Sequence, residues 1–302
     1  MNTERETVTI VEFFQVLWAK KLVIIAITAM FSVAGVLFSL SLPNIYMSQI
    51  KLYPSEESRG GGLSGIASQF GGIAGLAGLR LPGAEVDKAT LALELARSYD
   101  FITNFINRRE ILVDLMAADS WHQQNDTLTY DPEIHDITAG VWLRESDTKP
   151  SKPTDWEAFD YFSKNTLRIS VDDKTGIITI GMRHISPTIA FKWVNWFVDD
   201  INEHLKAKDV EEAIRSKTYL EKELAANSLS SSQQILSTLI EKQVQTLMMA
   251  NVREEYVFKV LSPAYVPELK AAPSRAVICI LFFMSGFILS SIGVVFYSSF
   301  KR

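Results

Sequence analysis

The chain has 302 residues, with 30 Lys and Arg against 35 Asp and Glu, four histidines and one cysteine. A net charge of −5 argues against a protein built to neutralise a nucleic-acid backbone. A single cysteine leaves no intramolecular disulfide, so any folded domain is held by packing and assembly.

In chain order, the first element is an uncharged run from Leu22 to Leu42. A second uncharged run spans Ala276 to Phe300. Each is long enough for a helix crossing a hydrocarbon core of about 30 Å, which needs about 20 residues. Lys20 and Lys21 precede the first run, Lys301 and Arg302 follow the second, and residues 43–50 carry no Lys or Arg. Lys270 and Arg275 on the loop side weaken the bias without reversing it. The positive-inside rule predicts both ends in the cytoplasm and residues 43–275 outside it. A cleaved signal peptide ending near Ser39-Leu40-Ser41 is the competing reading of the first run, but its apolar stretch exceeds the usual length of a signal core. The expected layout is a cytoplasmic tail 1–21, spans 22–42 and 276–300, a loop 43–275 and a cytoplasmic end 301–302. Setting aside five basic and three acidic end residues leaves the loop with 25 basic and 32 acidic residues, net −7. That balance argues against polyanion capture as its main purpose.

Residues 44–54, NIYMSQIKLYP, have the alternation and β-rich composition of a strand. Residues 59–83 hold nine of the fifteen glycines, interleaved with Leu63, Ile66, Phe70, Ile73, Leu76 and Leu79. No Lys-Ser or Lys-Thr follows, so this is not a phosphate loop. Two readings remain: a plain linker, or a segment that packs near the membrane or on neighbouring subunits. Helical spacing returns over 86–107, where Leu91 and Leu95, and then the pair Phe101 and Phe105, are four residues apart, with a second helix start at Ser98 or Asp100. Residues 119–155 are polar and turn-rich, with Trp121 and Trp142 as expected anchors.

Thr166–Val171 and Ile177–Met182 read as strands joined by a turn ending at Gly176. Ser186-Pro187 supplies a cap and a first-turn proline. A helix follows with Trp193, Phe197, Ile201 and Leu205 on one stripe. No Pro or Gly interrupts the chain from there to about Ala250, so a continuous helix would reach about 90 Å. A bend or break is plausible at Asn227-Ser228 and the following serines, which are weak helix formers. The apolar spacing is too irregular for a strict heptad coiled coil. It fits a long helix packed on partners, and that stripe is the expected assembly face. Residues 256–261 read as a returning strand, and Pro263, Pro267 and Pro273 stiffen the descent to the second run.

Chemistry is sparse. His122, His135, His184 and His204 show no metal-site spacing. No Gly-x-Ser-x-Gly elbow is present. Asp172-Asp173, Asp199-Asp200, Glu211-Glu212 and Glu254-Glu255 fit solvated faces better than paired catalytic carboxylates. No acid and base are nominated, and no catalytic residue, metal or cofactor is expected. Thr28-x-x-x-Ser32 and Gly35-x-x-x-Ser39 in the first run, and Gly286-x-x-x-Ser290 with Gly293 in the second, give small-residue faces. Such faces fit helix packing as well as ordinary span composition.

The order of these motifs resembles the Wzz-type polysaccharide co-polymerases, the O-antigen chain-length determinant family, over essentially the whole chain. Residues 261–275, LSPAYVPELKAAPSR, resemble the family's proline-rich segment through Pro263, Pro267, Pro273 and Arg275. Ser262 and Ser274 depart from it where an acid and a lysine are common. Residues 175–195, TGIITIGMRHISPTIAFKWVN, resemble its strand and helix start. The resemblance implies an α+β membrane protein, with two terminal transmembrane helices flanking a periplasmic α/β base and a long extended helix. It implies a homo-oligomer in the bacterial inner membrane that regulates lipopolysaccharide O-antigen length. The implied partners are a Wzy-type glycan polymerase and a lipid-linked glycan, with no nucleic acid. A scaffold that measures glycan and a cage that limits polymerase encounters both fit. The alternative is a capsule or exopolysaccharide export co-polymerase with a separate tyrosine kinase, because only two residues follow the second run. A sensor would need an output module that about 21 leading residues cannot form.

Overall fold

The computed structural model describes residues 18–55, 88–144, 150–226, 230–253 and 255–300. The Gly-rich block 59–83, the tail before Trp18, the Asn227-Ser228 position and the last two residues lie outside them. The chain divides into two units, Met1–Ile45 with Leu269–Arg302, and Tyr46–Glu268.

The first unit is a pair of apolar helices, α1 (Lys21–Ser41) and α8 (Arg275–Phe300). Both are long and apolar enough to cross a membrane. Most of their large side chains are exposed, including Leu22, Met30 and Leu37 on α1 and Phe283, Leu289 and Phe296 on α8. A water-soluble core helix would bury such residues. The buried ones, Ile24, Thr28, Gly35 and Ser39, form the narrow seam along which α1 meets α8.

The second unit is built on a four-stranded antiparallel sheet of β1 (Tyr46–Pro54), β6 (Leu167–Val171), β7 (Ile178–His184) and β8 (Phe258–Ser262), in the order β6-β7-β1-β8. The β6–β7 turn is set locally. Asp172 Oδ1 accepts from the N–H groups of Lys174 and Thr175, and Gly176 takes φ +68°, where only glycine is unstrained. One sheet face carries Ile50, Leu52, Leu167, Ile178, Ile180 and Met182 into the core.

Onto that face packs the first half of α6 (Pro187–Ala226), led by Trp193, Phe197, Ile201 and Leu205. Beside it lie α2 (Lys88–Arg97), α3 (Tyr99–Arg108) and α5 (Asp155–Tyr161), which runs into a π-turn over Phe162–Thr166. Phe101 and Phe105 of α3 meet Phe197 edge-on, with ring centres 5.4 and 5.1 Å apart. Ser98 caps α3 by accepting from the Phe101 N–H, as one of the two expected starts. The expected spacing on α2 is corrected for Leu91, which is exposed: Leu95 packs at the edge of the core, and Ala89, Ala92 and Ala96 are the buried residues. Small alanines let α2 approach closely where leucines would not fit.

A short α4 (Leu112–Met116) leads into the region expected only as a surface excursion. It contains a hairpin of β2 (Ala118–His122) and β3 (Thr127–Tyr130), then a small ladder of β4 (His135–Asp136) and β5 (Val141–Trp142). Trp121 and Trp142 are half-buried, Trp121 edge-on to Tyr46 and Trp142 against the His135 ring.

The long helical region is not one rod. After α6 comes α7 (Ser230–Val252), whose far end lies back beside the middle of α6. Lys206 Nζ donates to the Arg253 carbonyl at 3.5 Å, and Ala250 is buried in the core that α6 helps to form. A straight continuation would carry Arg253 about 70 Å beyond Lys206. The expected bend is therefore a reversal, and the 90 Å rod becomes a two-helix arm.

Candidate functional site

Each expected functional residue has a definite setting, and the settings differ in kind. The stripe Trp193, Phe197, Ile201 and Leu205, expected to face a second copy, is corrected. Their exposures are 1, 0, 0 and 5%, so they serve this chain's own core and have no surface to offer. The spacing that marked an apolar face was read properly, but its partner is the sheet and α3.

The arm offers the apolar surface instead. Beyond Ala213, the described residues of α6 have no buried side chain, and α7 has only Ala250. Ile214, Tyr219, Ile235 and Met248 are all more than half exposed. Two antiparallel helices cover only one seam of each other, so these apolar positions are left over. Arg215–Glu211 and Lys217–Glu221 ion pairs at 2.6 Å are interspersed with the apolar positions of α6.

Where the arm meets the base, buried polar groups hold the joint. Asn202 Oδ1 accepts from the N–H groups of Val257 and Phe258 at 3.0 and 3.1 Å, which ties the start of β8 to α6. Asp200 is buried and accepts from Arg109 at 2.6 and 3.3 Å and from Arg108 at 3.2 Å. The expected solvated face for Asp199-Asp200 is thus corrected for Asp200, which is a clamped structural ion. Burial pushes the Asp199 carboxyl above its usual range. Asp209 accepts from Lys88 at 2.6 Å and from the Tyr256 hydroxyl at 2.7 Å. Among the described residues no group of three or more His, Cys, Asp or Glu is placed to hold a metal ion.

The proline segment divides between the two units. Pro267 is buried and Pro263 exposed. Between these prolines, the Tyr265 carbonyl accepts from Ser48 Oγ at 2.7 Å, pinning the segment to β1. Pro273 and Arg275 belong to the helix-pair unit, where Ile45 and Ala272 form an antiparallel bridge. Arg275 and Lys270 both donate to Asn44 Oδ1, at 3.2 and 3.4 Å. The segment leaving α1 and the segment entering α8 are thereby bonded side by side.

Within the helix pair, the contact is reciprocal. A methyl built on Gly35 would lie 2.6 Å from Phe282 Cβ, and one on Gly286 would lie 2.6 Å from Phe31 Cβ. Phe31 precedes Gly35 by four residues, and Phe282 precedes Gly286 by four. In an antiparallel pair that spacing brings each phenylalanine over the other helix's glycine. The sequence reading singled out the glycines and passed over Phe31 and Phe282. The repeated Phe-x-x-x-Gly was the available signal. Ser39 and Ser290 are buried in the same seam, whereas a methyl on Gly293 would meet nothing within 4 Å.

The second face of the sheet is also distinctive. No strand of the sheet contains an acid, and register places Lys51, Arg168, Arg183 and Lys259 together on the face away from the core. Burial and the nearby Arg183 hold the Arg168 guanidinium below its ordinary value. The net acidity of the loop therefore conceals a basic face.

Residues 6–88 match the family model described as Wzz, chain length determinant protein. None of the curated proteins matches the chain. Among solved structures the chain is similar to a full-length bacterial polysaccharide co-polymerase, at 11% identity and TM-score 0.40, covering 97% of this chain and 98% of that one. It is also similar to a fragment of WzzB, a polysaccharide co-polymerase from Salmonella Typhimurium, at 11% identity and TM-score 0.28, covering 76% and 100%.

Proposed function

We propose that this chain is a member of the Wzz-type chain length determinant family and regulates the length of lipopolysaccharide O-antigen or a related surface polysaccharide. It acts as a homo-oligomeric scaffold in the bacterial inner membrane, with the Tyr46–Glu268 unit in the periplasm, and it catalyses no reaction. The observation that carries this reading is the match of residues 6–88 to the chain length determinant model. Two further features support it. The two apolar helices suit a membrane anchor. The exposed apolar positions of the arm suit side-by-side assembly.

In this reading the ring of subunits holds a Wzy-type polymerase, or the glycan it extends on its lipid carrier, so that extension stops near a preferred length. The Pro263, Pro267, Pro273 and Arg275 segment joins the membrane anchor to the scaffold. The test is a lipopolysaccharide ladder from a deletion strain with and without the protein restored. Loss of a clustered band pattern on deletion, and its return on restoration, supports the reading. An unchanged ladder with altered capsule or exopolysaccharide size would move the assignment to an export co-polymerase. No change in any surface glycan would overturn both.

A further inference from the structure

The helix pair is not packed equally along its length. It is tight where Phe31 sits on Gly286 and Phe282 on Gly35. Toward the start of α1 and the end of α8 it opens into a groove of about 420 Å³, lined by Lys20, Val23, Ile27, Leu289, Gly293 and Tyr297 among others. The open floor at Gly293 is part of the reason, since no side chain fills that position. The walls along α1 and α8 are apolar except for Ser290, and Lys20 and Tyr297 stand at the start of α1 and in the last turn of α8.

We infer that this groove binds one anionic glycerophospholipid, with an acyl chain along Gly293 and its phosphate at Lys20. The inference rests on the membrane reading given under Proposed function and adds a ligand to it. Three observations select this occupant. An unfilled apolar groove forfeits dispersion contacts along its walls, and in a bilayer the available apolar filler is an acyl chain. The cation stands at the end of the apolar walls, where a phosphate lies when its chains are in the hydrocarbon, and basic pockets between spans select anionic headgroups. Trp18 and Tyr297 occur at the same end, and such aromatic residues favour headgroup depth. Lys21 lies over the Trp18 ring, 4.9 Å from its centre, so the adjacent cation is held at that end too.

The experiment uses the full chain, purified in detergent and titrated with phosphatidylglycerol or phosphatidylcholine of matched chains, read by native mass spectrometry. The wild type is expected to retain phosphatidylglycerol over phosphatidylcholine by about fivefold, the scale of one lysine near a headgroup. Lys20→Gln is expected to bring that ratio close to one. Gly293→Phe fills open space and is expected to abolish retention of both lipids while the helix pair stays intact. Equal retention of the two lipids by the wild type would overturn the proposal. So would undiminished retention by Gly293→Phe, or efficient cross-linking of Gly293→Cys between copies in a Cys279→Ala background, which would show a second copy in the groove. Failure here is separable from failure of the chain-length reading. A chain that restores the glycan ladder without lipid preference loses this inference alone, and one that keeps the preference without restoring the ladder loses the other.

Discussion

At the residue scale, the informative groups are the buried polar ones. Asn202 satisfies two backbone N–H groups at the start of β8, so Asn202→Ala strands both. The expected loss is on the order of 2–4 kcal/mol in denaturant unfolding. His184 is buried, accepts at Nδ1 from the Ser186 N–H at 3.0 Å, and so donates from Nε2 to the Asp114 carbonyl at 3.0 Å. Both ring nitrogens are committed to the neutral form, and burial lowers the imidazole below its ordinary value. The unfolded chain takes up the proton first as pH falls. Stability is therefore full above the usual histidine range and declines as pH drops through it. A His184→Gln variant is expected to flatten the unfolding midpoint between about pH 7 and 5 relative to wild type. Trp193→Ala distinguishes the corrected role of its stripe. A core role predicts a loss of roughly 3–5 kcal/mol, whereas an assembly role predicts a change of oligomer size at unchanged stability.

At the element scale, the reciprocal contact in the helix pair separates two glycines that look alike in sequence. Gly286→Leu drives a side chain into Phe31, and Gly293→Leu enters open space. Forced packing of this kind costs roughly 1–3 kcal/mol. Gly286→Leu is expected to lower proximity-dependent cross-linking between cysteines placed on α1 and α8, while Gly293→Leu leaves it near wild type. Equal behaviour of the two variants would contradict the reciprocal Phe-x-x-x-Gly arrangement. The same reasoning separates α2 from its neighbours. Its alanines bury because α3 and α6 crowd that side, so a larger residue at Ala92 has no room.

At the scale of the whole molecule, the arm is where self-assembly is proposed. Ile235→Glu or Tyr219→Glu changes an exposed position and leaves the core untouched. The expected outcome is a smaller particle by light scattering with an unfolding midpoint within about 0.5 kcal/mol of wild type. An unchanged particle size for the double variant would remove the arm from the interface.

Much of this architecture was legible from local pattern alone. The two uncharged runs, the strand after the first, the Asp172–Gly176 turn, the Ser186-Pro187 helix start and the order of elements all follow from length, charge and period. Short-range geometry decides each of them. What the sequence left open was which partner each apolar face meets, because periodicity marks a face without identifying what covers it. Only the tertiary structure showed that Trp193, Phe197, Ile201 and Leu205 face the chain's own sheet, and that α7 turns back along α6. It also showed that Asp200 is clamped by two arginines 91 and 92 residues away in sequence, and that four cations gather on a sheet face of a net acidic chain. These are long-range pairings, selected by the joint filling of one core and the shared register of a sheet, and no single segment contains that information.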